Sequence, residues 1–165
     1  MVSGIAWSAL TRFNDLVYRV FVWVCGLAIV AVVVSVSYQV VSRYFLFGGT
    51  PWSEEIAVYS FIWAVMLGNA IGVRDHSHMV ADILPPNMGW FWDRFIESLT
   101  HATHLVIGIL FLWWGWRYAD MGWFRYSDIL GFPMFYMFVA APVTAVAMIT
   151  FLTERFIKCW WGERL

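Results

Sequence analysis

The sequence predicts an all-α integral membrane protein: four transmembrane helices plus interfacial amphipathic helices, with both termini in the cytoplasm. Three observations predict this. Of 165 residues, 62% are hydrophobic and 13% charged, a balance that would coat a soluble domain of this length in apolar surface. The charge is gathered between long apolar runs, the pattern of a chain solvated by lipid. Lys and Arg are also unevenly shared between the connections. With the N-terminus inside, the cytoplasmic segments hold Arg12, Arg19, Arg74, Arg94, Arg155, Lys158 and Arg164. The outer loops hold only Arg43, Arg117 and Arg125, so the positive-inside rule favours this orientation.

The first element is a helix within residues 1–19. Ser8, Thr11, Arg12, Asp15 and Arg19 recur at helical spacing, with Trp7, Leu10, Phe13 and Val17 on the other side. Such a helix is expected to lie flat among the headgroups and lead into the first span. That span is residues 20–41, whose 22 residues reach about 33 Å, enough to cross the hydrocarbon core. The run is long for the apolar region of a cleaved signal peptide, so it is read as a span.

The second span is residues 56–73, shorter and expected to stand nearly upright. Thr50 is placed to cap its start and Pro51 to occupy the first helical position. Glu54 and Glu55 fall in the first turns, where the helix dipole favours acidic groups. They read either as plain helix-start charges or as members of an ion pair, with Arg43 or with a partner protein. Within the span, Ser60, Ala64, Gly68 and Gly72 repeat every four residues, a small-residue stripe that admits a close helix neighbour. Asn69 stands beside the stripe and can hydrogen-bond across such a contact. The neighbour belongs either to this chain's own bundle or to another subunit.

After Pro85-Pro86, residues 86–98 form an amphipathic lead-in to the third span, residues 99–118. Arg94, Glu97, His101 and His104 make a polar stripe opposite Met88, Phe91, Trp92, Phe95 and Leu99. That stripe is expected to face protein or a hydrated crevice. The fourth span is residues 133–152. Trp52, Trp113, Trp114, Trp116 and Trp123 cluster at the outer surface, and Trp7, Trp90, Trp92, Trp160 and Trp161 at the inner one, as aromatic belts do. All loops are short, so residues 1–165 form a single membrane domain.

Little in the chain suggests chemistry of its own. A net charge of −1 gives nucleic acid no foothold. Cys25 and Cys159 are isolated and read as free thiols. His76, His78, His101 and His104 map near the cytoplasmic face, but their spacings are loose and no cysteine or suitable carboxylate completes a familiar zinc pattern. Ser35, Ser37 and Ser60 have no base at plausible spacing, and no glycine-rich phosphate loop is present. The spans lack mid-membrane charges and the broken helices of carriers. The expectation is an accessory subunit with no cofactor and no enzymatic activity.

Arg43-Tyr44-Phe45, Pro51-Trp52-Ser53-Glu54-Glu55, Trp63, Leu67-Gly68, Arg74 and His78-Met79-Val80-Ala81-Asp82 follow one another in an order that resembles the small membrane subunit of tripartite ATP-independent periplasmic (TRAP) transporters, over most of the chain. The resemblance resumes at Gly131-Phe132-Pro133 and Pro142. Asp75-His76 departs from the pattern by adding polar residues. The resemblance implies a bacterial inner-membrane subunit that packs on the static scaffold of a large, sodium-coupled elevator subunit. A separate periplasmic substrate-binding protein would deliver an organic acid anion: a C4-dicarboxylate, another carboxylate or a sialic acid. On this reading Arg43, Trp52, Glu54, Glu55, Trp63, Gly68, Asn69, Gly72, Arg74, His78 and Asp82 are candidates for subunit interface or scaffold, with lipids around them.

Two other classes compete. A haem b-binding anchor of a redox complex would use His101 or His104 with His76 or His78, although the latter two fall past the end of the second apolar run. A small independent exporter would need an ionisable residue deep in a span, and the apolar runs offer none.

Overall fold

The computed structural model describes residues 2–45, 49–75 and 90–160. Five helices follow in order: α1 (Val2–Phe45), α2 (Pro51–Arg74), α3 (Trp90–Gly122), α4 (Phe135–Phe138) and α5 (Ala140–Trp160). Four stretches are long and apolar enough to cross a membrane: Thr11–Phe45, Pro51–Arg74, Ser98–Gly122 and Phe135–Glu154. The four expected spans are therefore present, in an all-α membrane protein.

Their boundaries differ from the expectation in three places. The amphipathic segment within residues 1–19 and the first span are one uninterrupted helix, because no proline or turn signal separates them. Its Val17, Tyr18 and Phe21 pack on the core of the bundle. The amphipathic residues from Trp90 onward likewise run unbroken into the third span as α3. The fourth span is divided at Val139 into α4 and α5. Pro142 has no N–H to offer the carbonyl four residues back, so the helical ladder is interrupted there.

α1 packs on α2, α2 on α5, and α5 on α3; α1 also touches α5 more lightly. The central pair α2 and α5 supplies most of the core: Ala70 and Val73 meet Ala147, Met148, Phe151 and Leu152. α1 and α3 stand outside this pair, and each turns a narrow seam inward. On α1 one covered line runs through Asn14, Tyr18, Phe21, Cys25, Ala28, Val32, Ser35, Gln39 and Ser42, with Thr11, Val17 and Ala31 half-buried beside it. The line's alternating four- and three-residue steps are the spacing of a supercoiled helix pair. The seam is mostly small or polar, whereas Trp23, Leu27, Val30 and Val34 are exposed. This inverts the pattern of a soluble helix, as expected where the solvent is lipid and helices associate through close packing.

The tightest packing lies between α3 and the α4–α5 segment. Gly108, Gly115 and Gly122 recur every seven residues along one side of α3. A Cβ at Gly108 would stand 3.2 Å from Ile149 Cγ1, at Gly115 3.0 Å from Ala141 Cβ, and at Gly122 2.6 Å from Phe135 N. The partners descend in number as the glycines ascend, so the two segments run antiparallel and almost in backbone contact. Between them, residues 123–134 fold into a tight loop closed by an isolated antiparallel bridge between Tyr126 and Pro133. Gly131 takes the left-handed conformation this loop requires, with φ 67°.

Candidate functional site

The ionisable groups resolve into two polar clamps, one at each end of α2. The first is built on Arg74, the last residue of that helix. Its guanidinium donates to the Asn14 carbonyl oxygen and to the Asp15 carboxylate, both on α1. It also lies 4.9 Å from the ring centre of Tyr18 and 5.1 Å from that of Phe151. A planar, weakly hydrated cation suits such a slot between aromatic rings. The Tyr18 hydroxyl donates to Asp75 at 2.8 Å. Beneath them, Asn14 Nδ2 donates to Glu154 Oε2 at 2.6 Å and approaches the Thr150 carbonyl at 3.5 Å. Asn14 and Glu154 are both buried, so this contact joins α1 to α5 as Arg74 joins α1 to α2.

The second clamp is Glu55. Its Oε2 accepts from the Ser127 hydroxyl and from the Leu130 N–H at 3.1 Å. The Leu130 N–H also reaches Ser127 Oγ at 3.1 Å, and Gly131 N donates to the Ser127 carbonyl at 3.2 Å. Glu55 thus gathers the tip of the loop between α3 and α4 onto the start of α2. About two turns further on, Trp63 Nε1 donates to the Tyr136 carbonyl at 3.0 Å and ties α2 to α4.

These contacts sort the sequence candidates. Neither glutamate pairs with Arg43, so the intrachain ion pair considered from the sequence is absent. Arg43 lies exposed in the last turn of α1, where its charge complements the helix dipole. Glu54 is exposed and, among the described residues, accepts from Gln39 Nε2 at 3.5 Å. Trp52 rests on Tyr38, with ring centres 5.2 Å apart. Asn69 Nδ2 faces Met148 Sδ at 3.9 Å across the α2–α5 contact. Gly68 meets Cys25 Sγ of α1, and Gly72 is half-buried. His78 and Asp82, like His76, lie outside the described residues. Thr50 caps α2 and Pro51 opens it, as expected, but the Thr50 hydroxyl meets Ser53 Oγ at 3.1 Å instead of a helix N–H.

Sequence reasoning missed Asn14, Ser127 and Glu154, along with the glycines of α3. The seven-residue recurrence of Gly108, Gly115 and Gly122 was the available signal for the last. Among the described residues, no group of three or more His, Cys, Asp or Glu side chains gathers to hold a metal ion. His104 Nδ1 lies 2.7 Å from the Thr100 carbonyl one turn back in α3.

Comparison with known proteins gives this arrangement of end-clamped spanning helices a family. The family model for the DctQ component of tripartite ATP-independent periplasmic transporters matches residues 32–161. The chain belongs to that family. It is a TRAP transporter small permease subunit. The sialic acid TRAP transporter permease protein SiaT of Haemophilus influenzae is 28% identical over 126 residues, covering 76% of this chain but 20% of that longer protein. The C4-dicarboxylate TRAP transporter small permease protein DctQ of Vibrio cholerae is 26% identical, over 74% of this chain and 62% of its own length. The sialic acid TRAP transporter small permease protein SiaQ of the same organism is 27% identical, over 72% of this chain and 69% of its own.

Proposed function

We propose that this subunit is the scaffold partner of a large elevator-type permease in a sodium-coupled importer of an organic acid anion. It sits in the bacterial inner membrane with both termini cytoplasmic, and a periplasmic binding protein delivers the substrate. It carries no substrate itself and catalyses no reaction.

The observation that carries this reading is where the clamp residues point. Arg74, Asp15, Asn14, Glu154 and Glu55 stand at the ends of the bundle, and their contacts hold this chain's own helices together. A carrier holds charged substrate and coupling ions near mid-membrane. Here the middle of each span is apolar or holds small hydroxyl, amide and thiol groups. The relative in which the matching stretch is one fifth of a longer permease chain supports the same division of labour. So does the extent of α1 and α3, whose apolar outer faces enlarge the membrane footprint of whatever they join.

The test is uptake of labelled carboxylates into proteoliposomes that hold the large permease with and without this chain, under an inward sodium gradient. The reading expects the large permease to co-purify with this chain and to lose activity or stability without it. A large permease that never associates with this chain, and transports equally well alone, refutes it.

A further inference from the structure

One line of exposed side chains on α1 sets cations and apolar groups in the order of a phospholipid. Arg12, Leu16, Arg19 and Trp23 are all exposed, Leu16 at 61% and Trp23 at 74%. Steps of four, three and four residues keep them within about 40° of one another around the helix. The covered residues Asn14, Phe21 and Cys25 fall on the opposite side, so the line points away from this chain's own bundle. Leu27 and Val30 continue it toward the outer end, exposed and apolar.

The inner clamp fixes the depth of the two arginines. Asp15 meets Arg74, the last residue of the second span. Arg12 stands about a turn below that polar layer and Arg19 about a turn above it, roughly 10.5 Å apart along the axis. Asp15 lies between them, but its carboxylate is engaged by Arg74. Among the described residues, neither Arg12 nor Arg19 forms an ion pair. A guanidinium does not shed its charge, so one that faces lipid bends its stem toward the nearest anionic layer. Arg12 reaching up and Arg19 reaching down meet at one level, over Leu16.

Charge identifies the occupant. Two cations a few ångströms from one level call for an anion there, and the apolar line above them calls for hydrocarbon. A facing protein helix would have to bring a desolvated carboxylate to this depth, where lipid headgroups already hold phosphate. The ammonium of a zwitterionic headgroup would be repelled by the second guanidinium, which favours a headgroup of net negative charge. We propose that Arg12 and Arg19 form a clasp for the phosphate of an anionic phospholipid in the inner leaflet, with its chains laid along Trp23, Leu27 and Val30. The leaflet rests on the proposed cytoplasmic termini; the clasp itself does not.

The test titrates the purified chain in detergent with phosphatidylglycerol, or with phosphatidylcholine of the same acyl chains, and counts bound lipid by native mass spectrometry. An arginine beside an anionic lipid contributes about fivefold in affinity, so the pair should favour phosphatidylglycerol roughly 25-fold. Arg12→Gln and Arg19→Gln should each lower that preference about fivefold, and the double variant should abolish it. Arg117→Gln, at the outer end of α3, should keep it. Equal binding of the two lipids by the parent, an unchanged preference in the double variant, or an equal loss in Arg117→Gln overturns the clasp. So does displacement of the lipid by excess glycerol 3-phosphate, which would make the site one for soluble phosphate. A second arm places photoreactive benzoylphenylalanine at Leu16 in cells that also express the large permease. The clasp expects phospholipid adducts; adducts chiefly with the large permease, or with a second copy of this chain, overturn it. Because the first arm uses this chain alone, failure of the clasp leaves the proposed function standing.

Discussion

Gly122→Ala should damage this protein far more than Gly68→Ala, although both add one methyl group to a helix. At Gly122 the new Cβ would stand 2.6 Å from Phe135 N, 2.8 Å from Phe135 Cα and 3.0 Å from Met134 C. All three are backbone atoms at the start of the α4–α5 segment, so no side chain can swing aside. Ordinary contact requires the segments to part by about 1 Å, against the stacking of Trp123 on Phe135 at 4.1 Å between ring centres. Overpacking of this kind costs about 1–3 kcal/mol. At Gly68 the methyl meets only Cys25 Sγ at 4.0 Å, and helix propensity returns up to ~1 kcal/mol. For a chain of this size, each kcal/mol moves the melting temperature by roughly 2–4 °C. The assay is thermal unfolding of the purified chain in one detergent, followed by far-UV circular dichroism. Gly122→Ala should melt about 2–12 °C below the parent, from those two ranges combined, and Gly68→Ala at or above it. Equal melting of Gly122→Ala and parent, or equal losses for the two variants, would refute the packing argument.

Three further outcomes are expected. Asn14→Leu removes a donor from the buried Glu154 carboxylate and should cost roughly 1–3 kcal/mol. Adding Glu154→Leu should recover part of that loss; strictly additive melting shifts would show that the two residues are uncoupled. Ser127→Ala removes the hydroxyl that bridges Glu55 and the Leu130 N–H. It should speed proteolytic nicking of the loop at residues 123–134, and unchanged cleavage would mean that the clamp does not hold the loop. Single cysteines at Gly49 and Asn87, in a background lacking Cys25 and Cys159, should label from opposite sides of the membrane. Labelling of both from the periplasm would reverse the proposed topology.

The spans were legible because an apolar run of about 20 residues has few alternatives to a membrane helix. The start of α2 was legible because Thr50-Pro51 is a local signal that needs no tertiary context. Partner choice was not. Glu55 finds Ser127 and Leu130 some 70 residues downstream, whereas sequence proximity pointed to Arg43. The α1 seam escaped notice because the bulky residues that mark a buried face in water mark the exposed face in lipid. Asn14, Cys25, Ser35, Gln39 and Ser42 carried the signal, as small or polar positions at seam spacing. The small-residue stripe of α2 drew attention to Gly68, yet the backbone contacts that most need glycine are on α3. One helix alone cannot reveal which of its small residues meets a neighbour.

The central claim is that the charged residues of this subunit hold a scaffold together and do not touch the transported anion. Uptake by Glu55→Gln complex in proteoliposomes, normalised to the co-purified large permease, tests it most directly. Glu55 holds the loop at Ser127 and Leu130, so the substitution should lower the amount of complex recovered. The complex that remains should keep the parent's half-saturating concentrations of substrate and sodium. A Glu55→Gln complex that assembles in full, yet needs at least tenfold more substrate for half-maximal uptake, would place Glu55 on the substrate path and contradict the account.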